Sequence, residues 1–132
     1  MIYRIKKETK PHLPTYGKYK AVAVHHQTIE KEELLKAAAK NSVFDEATYE
    51  GGMTKLSIVI REYLRQGHSV RLRGLGLMKL EIESDKVDDP KEFRANKHIR
   101  GIRLHLIPES KDGSQPLYDG ITFEKDKHHY QE

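Results

Sequence analysis

The sequence predicts an α+β fold: two helices in the N-terminal half under a three-stranded antiparallel sheet, with extra strands at the N-terminus. Three observations predict it. Tyr49, Met53, Leu56, Ile60 and Tyr63 recur in steps of four, three, four and three, an apolar helical seam that ends at Gly67. Val70, Leu72, Met78, Leu80 and Ile82 alternate with Arg71, Lys79, Glu81 and Glu83 around Gly74-Leu75-Gly76, the period of strands with one buried face. Ile102, Leu104 and Leu106 repeat that alternation against Arg103 and His105.

In chain order, Tyr3 to Lys7 reads as a short strand, and Pro11, Pro14 and Gly17 make the following segment a loop. From Lys18 to His26, Tyr19, Ala21 and Ala23 alternate with Lys20, Val22 and Val24, a second strand able to pair with the first. Thr28 stands where a cap belongs, and Glu30, Glu32 and Glu33 suit the positive end of a helix over about 29–40, with Leu34, Leu35, Ala38 and Ala39 as its apolar face. Asp45 caps the seam helix, with Glu46 beside the same positive end. Gly51-Gly52 inside it costs about 1 kcal/mol each relative to alanine, marking either a close backbone approach or a tolerated weak spot. So long a seam exceeds what one short domain covers, so a homodimer through Tyr49, Met53, Leu56, Ile60 and Tyr63 is expected. Gly74 and Gly76 form the structural turn between strands. Asp88-Asp89-Pro90 predicts a turn within Ser84 to His98, Ile99 to Ile107 a third strand, and Gly120 to Phe123 a last short one. Beyond Pro108, Gly113 and Pro116 make poor helix.

A chain of 132 residues with 36% apolar and 33% charged content is expected to be one domain with a small or shared core. It divides into an N-terminal strand extension (1–27), a core (28–108) and an irregular C-terminal segment (109–132). Cysteine is absent, which removes disulfides, thiolate metal sites and thiol nucleophiles together. No apolar run reaches membrane-spanning length, so an intracellular, soluble protein is expected. The net charge of +4 is unevenly laid out. Residues 1–20 hold six Lys/Arg against one acid and residues 53–107 hold twelve against seven, while 21–52 and 108–132 are acidic. That layout permits a polyanion partner.

The stretch from Thr28 to Pro108 resembles the HU/IHF family of bacterial histone-like DNA-binding proteins. The helix from Asp45 through Gly67 to Val70 is similar to the family's second helix and following turn. Gly74-Leu75-Gly76-Leu77-Met78 resembles its Gly-Phe-Gly-x-Phe corner, with Leu75 and Met78 in place of the aromatics. The N-terminal strands, Phe93-Arg94-Ala95-Asn96, and Ile99 leading to Leu106-Ile107-Pro108 resemble a divergent HU-like branch of Bacteroidetes-type bacteria. The resemblance implies an intertwined homodimer with a β-saddle and β-ribbon arms around the minor groove, and largely sequence-neutral bending or compaction of duplex DNA in the nucleoid. Here Asp88-Asp89-Pro90 stands where the family's arm tip reads Arg-Asn-Pro-x-Thr-Gly, and Glu81 and Glu83 occupy a usually arginine-rich arm base.

Under that resemblance, Arg71, Arg73, Lys79 and Arg103 are the saddle's DNA-binding candidates, and Lys91, Arg94, Lys97 and Arg100 the arm's. The bland alternative is a solvated sheet face and a self-neutralised loop, since Asp85, Asp88, Asp89 and Glu92 interleave with the arm cations. Lys6, Lys7, Lys10, Lys18 and Lys20 read as an ordinary solvated edge. A module that kept the dimer and lost DNA binding is the competing functional class, and RNA a third. Enzyme chemistry is not expected. His25-His26 and His128-His129 are adjacent pairs that a strand sends to opposite faces, and no HExxH, Walker or Gly-x-Ser-x-Gly pattern occurs. No catalytic residue, metal, cofactor, membrane or small-molecule substrate is assigned.

Overall fold

A computed structural model describes residues 1–110 and 117–127. The chain separates into two compact units, Met1–Glu30 with Gly120–Glu132, and Lys31–Asp119.

In the first unit, β1 (Ile2–Lys7) pairs antiparallel with β2 (Tyr19–Ala23), Tyr3 opposite Ala23 and Lys6 opposite Lys20. The late strand falls at β6 (Glu124–Lys125), not Gly120 to Phe123, and runs parallel to β1 with Ile2 opposite Glu124. The sheet order is β2-β1-β6, so β1 is central. The Gly113 and Pro116 reading lies outside the described residues, as does the His128-His129 pair.

The second unit opens with α1 (Lys31–Ala39), which starts beyond the expected residue 29, so Thr28 does not cap it. Asn41 (φ +58°) takes the left-handed conformation that ends a helix without glycine. Then α2 (Glu46–Arg65) begins at Asp45, whose carboxylate accepts from the Thr48 N–H (2.8 Å) and hydroxyl (2.6 Å). The helix ends in a Schellman motif: Gly67 N–H donates to the Leu64 carbonyl (3.0 Å) and His68 N–H to that of Tyr63 (3.0 Å). Gly67 supplies the required positive φ (+90°), and the His68 ring packs edge-on to Tyr63. Lys31 Nζ bonds the Glu50 carboxylate (2.8 Å), tying α1 to α2 at the surface.

Next comes a sheet of order β3-β4-β5, with β3 (Val70–Leu72), β4 (Gly76–Ser84) and β5 (Ile99–Pro108), antiparallel throughout. Since β3 covers only Gly76 to Met78 of β4, β4 and β5 continue alone as a two-stranded ribbon to Ser84 and Ile99. At the corner, Leu75 N–H donates to the Leu72 carbonyl (3.0 Å) with Gly74 at φ +86°. Gly76 is buried because β5 passes against it: a Cβ there would lie 2.1 Å from the Ile107 carbonyl oxygen. The ribbon's far end is closed by a folded cap instead of a simple turn. Asp89 caps a 3-10 turn (Pro90–Glu92), and α3 (Ala95–His98) is a single turn leading into β5.

Alternation sends Met78, Leu80 and Ile82 of β4 and Leu106, Leu104 and Ile102 opposite them to one sheet face. The core of this unit is small. Among the described residues only Leu35 and Leu64 are buried apolar side chains, at 6% and 7% exposure. Ile82, Ile102 and Leu104 stay 65%, 67% and 57% exposed, and Leu56 on the helical seam 61%.

Candidate nucleic-acid interface

The face opposite the apolar one carries the cations. Cross-strand pairing aligns Arg71 with Leu77, Lys79 with His105 and Glu81 with Arg103, so all these side chains share one surface of the sheet. Arg73 follows Arg71 into the corner. Both arginines are exposed, and neither makes an ion pair among the described residues.

Lys79 and Arg103 are placed differently. Glu81 sits between them: Arg103 donates to one carboxylate oxygen from Nε (3.2 Å) and Nη2 (2.9 Å). The other oxygen faces His105 Nδ1 at 3.1 Å and Lys79 Nζ at 3.6 Å. Hydrogen bonds from Arg103 and then His105 hold the Glu81 carboxyl below the usual carboxylate range, so it stays ionised. The middle of the sheet is therefore partly neutralised from within. The alternation of residue types puts Glu81 on this face, but its meeting with Lys79, Arg103 and His105 depends on the β4–β5 register, which no local pattern encodes.

The ribbon's cap holds the other four candidates. Arg94 is built into the cap: Nη1 donates to the carbonyls of Lys91 (2.9 Å) and Phe93 (3.0 Å), and its N–H donates to His98 Nδ1 (2.8 Å). The His98 ring lies tilted against Phe93, 5.3 Å between centroids. Arg100 is bonded to Asp85 through Nε, and Asp85 N–H donates to the His98 carbonyl (2.8 Å). Lys91 and Lys97 are exposed, with ammonium groups that make no ion pair among the described residues. The eight cations thus divide. Arg71, Arg73, Lys91 and Lys97 are free for an external anion, whereas Lys79, Arg94, Arg100 and Arg103 already have partners within the chain. Sequence reading missed His98 as an acceptor and Glu109 as a clamp. The Glu109 carboxylate accepts from Gly74 N–H, and its N–H donates to the Leu75 carbonyl (2.9 Å).

The helical seam is open. Phe44, Tyr49, Gly52, Met53, Leu56 and Ile60 line an apolar groove of about 490 Å³. It continues past Ser57 and Ile60 into a second, of about 550 Å³, between α2 and the sheet at Leu64, Leu72, Met78, Leu80 and Leu104. Tyr49 OH is 2.7 Å from Ser42 Oγ and its ring packs edge-on to Phe44, while Tyr63 remains half exposed beside His68. Among the described residues no group of three or more His, Asp or Glu is placed to hold a metal ion, and no helix is long and apolar enough to cross a membrane.

Residues 1–116 match the HU-HIG family model, described as an HU domain fused to wHTH, Ig or glycine-rich motif. Among solved structures, the chain is similar to a protein from Bacteroides vulgatus named as a candidate bacterial DNA-binding protein, at 20% identity and a TM-score of 0.50. The alignment covers 80% of this chain and 41% of that one, so the chain spans less than half the length of that relative. No curated protein matches the sequence.

Proposed function

This chain belongs to the HU-HIG family of HU domains, and from that premise we propose that it binds duplex DNA as a homodimer, with little sequence preference, and bends or compacts it in the nucleoid. The observation that carries the reading is the two-sided sheet. One face gathers Arg71, Lys79 and Arg103, with Arg73 exposed in the adjoining turn; the other leaves Leu80, Ile82, Ile102 and Leu104 uncovered, as α2 leaves its seam. Exposed aliphatic surface costs about 25 cal/mol per Å². A second copy, meeting the same faces through Tyr49, Met53, Leu56, Ile60 and Tyr63, would remove that surface from water and leave the cationic face outward. DNA then binds chiefly through its phosphates, and deformability decides how far it bends.

Within the site, Arg71 and Arg73 are the principal saddle contacts and Lys91 and Lys97 those of the ribbon's cap. Lys79 and Arg103 contribute after sharing their charge with Glu81, and Arg94 and Arg100 hold the cap in shape. The reading needs no catalytic residue or cofactor.

The test is fluorescence anisotropy with a duplex of about 30 bp, titrated between about 50 and 200 mM salt. The wild-type chain is expected to bind submicromolar at the low-salt end. Arg71→Ala/Arg73→Ala should flatten the slope of log K against log salt by about 1.8, and Lys91→Ala/Lys97→Ala by a similar amount. A wild type that fails to bind at low salt would contradict the reading and favour a protein-interaction module built on the same fold.

A further inference from the structure

Arg73 holds the second position of the turn Leu72-Arg73-Gly74-Leu75, which is closed by the Leu75 N–H donating to the Leu72 carbonyl (3.0 Å). Gly74 has φ +86°, whereas Arg73 has a negative φ, since Asn41 alone is positive among the described non-glycine residues. A negative φ followed by a positive one is the type II turn. The commoner type I turn differs from it chiefly by inversion of the peptide between the two central residues, and glycine in the third position tolerates both. The closing bond is the same in either form, so it does not select between them.

Glu109 does. It follows β5 directly, and its N–H donates to the Leu75 carbonyl (2.9 Å), carrying the β4–β5 pairing one step past Gly76 and Pro108. Its carboxylate accepts from the Gly74 N–H, which belongs to the peptide that a type I turn would invert. Inversion would turn this N–H away and bring the Arg73 carbonyl toward a carboxylate. A charged acceptor makes such a bond about twice as strong as a neutral one.

The other carboxylates near the candidate cations are used differently. Glu81 bonds the Arg103 guanidinium and Asp85 that of Arg100. Glu109, half-buried, bonds the backbone beside Arg73 and leaves the guanidinium exposed, with no ion pair among the described residues.

We propose that Glu109 is a positioning residue for duplex binding: by fixing the Leu72–Leu75 turn it presents Arg73 to a phosphate from a single backbone conformation. This rests on the DNA-binding reading above. The turn is ordered before DNA arrives, so the complex does not bear the cost of ordering it. Glu109 touches no phosphate, and its charge opposes binding. Hydrogen bond and charge therefore act in opposite senses, and substitution can separate them.

The experiment is the anisotropy titration on the full chain with Glu109→Gln and Glu109→Ala, each also placed in an Arg73→Ala and in a Lys91→Ala/Lys97→Ala background. Both substitutions remove the charge, but the glutamine amide oxygen still accepts from the Gly74 N–H. Glu109→Ala should bind duplex about threefold to tenfold more weakly than Glu109→Gln, the cost of ordering one residue on binding. That ratio should vanish without Arg73 and persist without Lys91 and Lys97, a pattern that lost stability alone would not produce. Gly74→Ala tests the same turn with Glu109 in place, should Glu109→Ala fail to fold. Its Cβ would meet nothing within 4 Å, but φ +86° strains any side chain, so affinity should fall in the same Arg73-dependent way. If Glu109→Ala matches Glu109→Gln, or Gly74→Ala matches the wild type, while Arg73→Ala weakens binding, DNA binding stands and the positioning role is refuted. A ratio that survives Arg73→Ala refutes it as well. If the wild type binds no duplex at about 50 mM salt, the functional reading falls and this proposal with it.

Discussion

At the scale of single residues, Glu81 governs how much of the cationic face is offered outward. It faces Arg103, His105 and Lys79 within one cluster. Glu81→Gln should tighten duplex binding severalfold and steepen its salt slope by about 0.9 for each cation newly committed to phosphate, measured by anisotropy. Asp45 controls a helix end instead. Its carboxyl lies below the usual range because the Thr48 hydroxyl, and then the Thr48 N–H, bond the ionised form. A carboxylate depressed on folding adds stability above its unfolded pKa of about 3.9, and that stability is lost as pH falls through the folded value. Asp45→Ala should therefore lower Tm by a few degrees near neutral pH, with the gap from wild type closing in acid as thermal melts are followed by circular dichroism. Asp45 was legible as a cap because capping depends on its immediate neighbours. The partners of Glu81 and Arg100 were not, since each is set by chain folded back from elsewhere.

At the scale of elements, the glycines of the corner and of α2 carry opposite expectations. Gly76→Ala would drive a Cβ to 2.1 Å from the Ile107 carbonyl, so β5 must shift at a cost of about 1–3 kcal/mol or more. Denaturant titration should show this loss. A Cβ at Gly51 meets nothing within 4 Å; Gly51→Ala should stabilise by about 0.4–1 kcal/mol in the same titration. The periodicities of α2, β4 and β5 were readable because each helix or strand gathers its apolar residues on one face. The start of α1 was misplaced, for Thr28 looked like a cap although the chain turns helical only at Lys31. The late strand was misplaced too, because a two-residue pairing with β1 is imposed by the neighbouring strand and leaves no pattern in the sequence. The cap between β4 and β5 was read as a turn around Pro90, but the His98 and Arg94 bonds that fold it are specific to its three-dimensional course.

At the scale of the molecule, the unit Lys31–Asp119 buries little apolar surface among its described residues, which is what the proposed homodimer would remedy. Leu35 and Leu64 alone reach the interior among the described residues, while the α2 seam and the apolar sheet face stand open. The sequence showed this imbalance as a seam longer than one small domain covers, though it could not give the faces that would meet. Leu104→Glu should accordingly disrupt self-association, and Arg71→Ala/Arg73→Ala should leave it intact. The most direct measurement is sedimentation velocity of the full chain, alone and with a duplex of about 30 bp at about 50 mM salt. A dimer that forms a faster-sedimenting complex with two chains per bound site is the predicted result. A chain that stays monomeric and sediments independently of the duplex would contradict the proposal of a dimeric, DNA-binding HU-type domain.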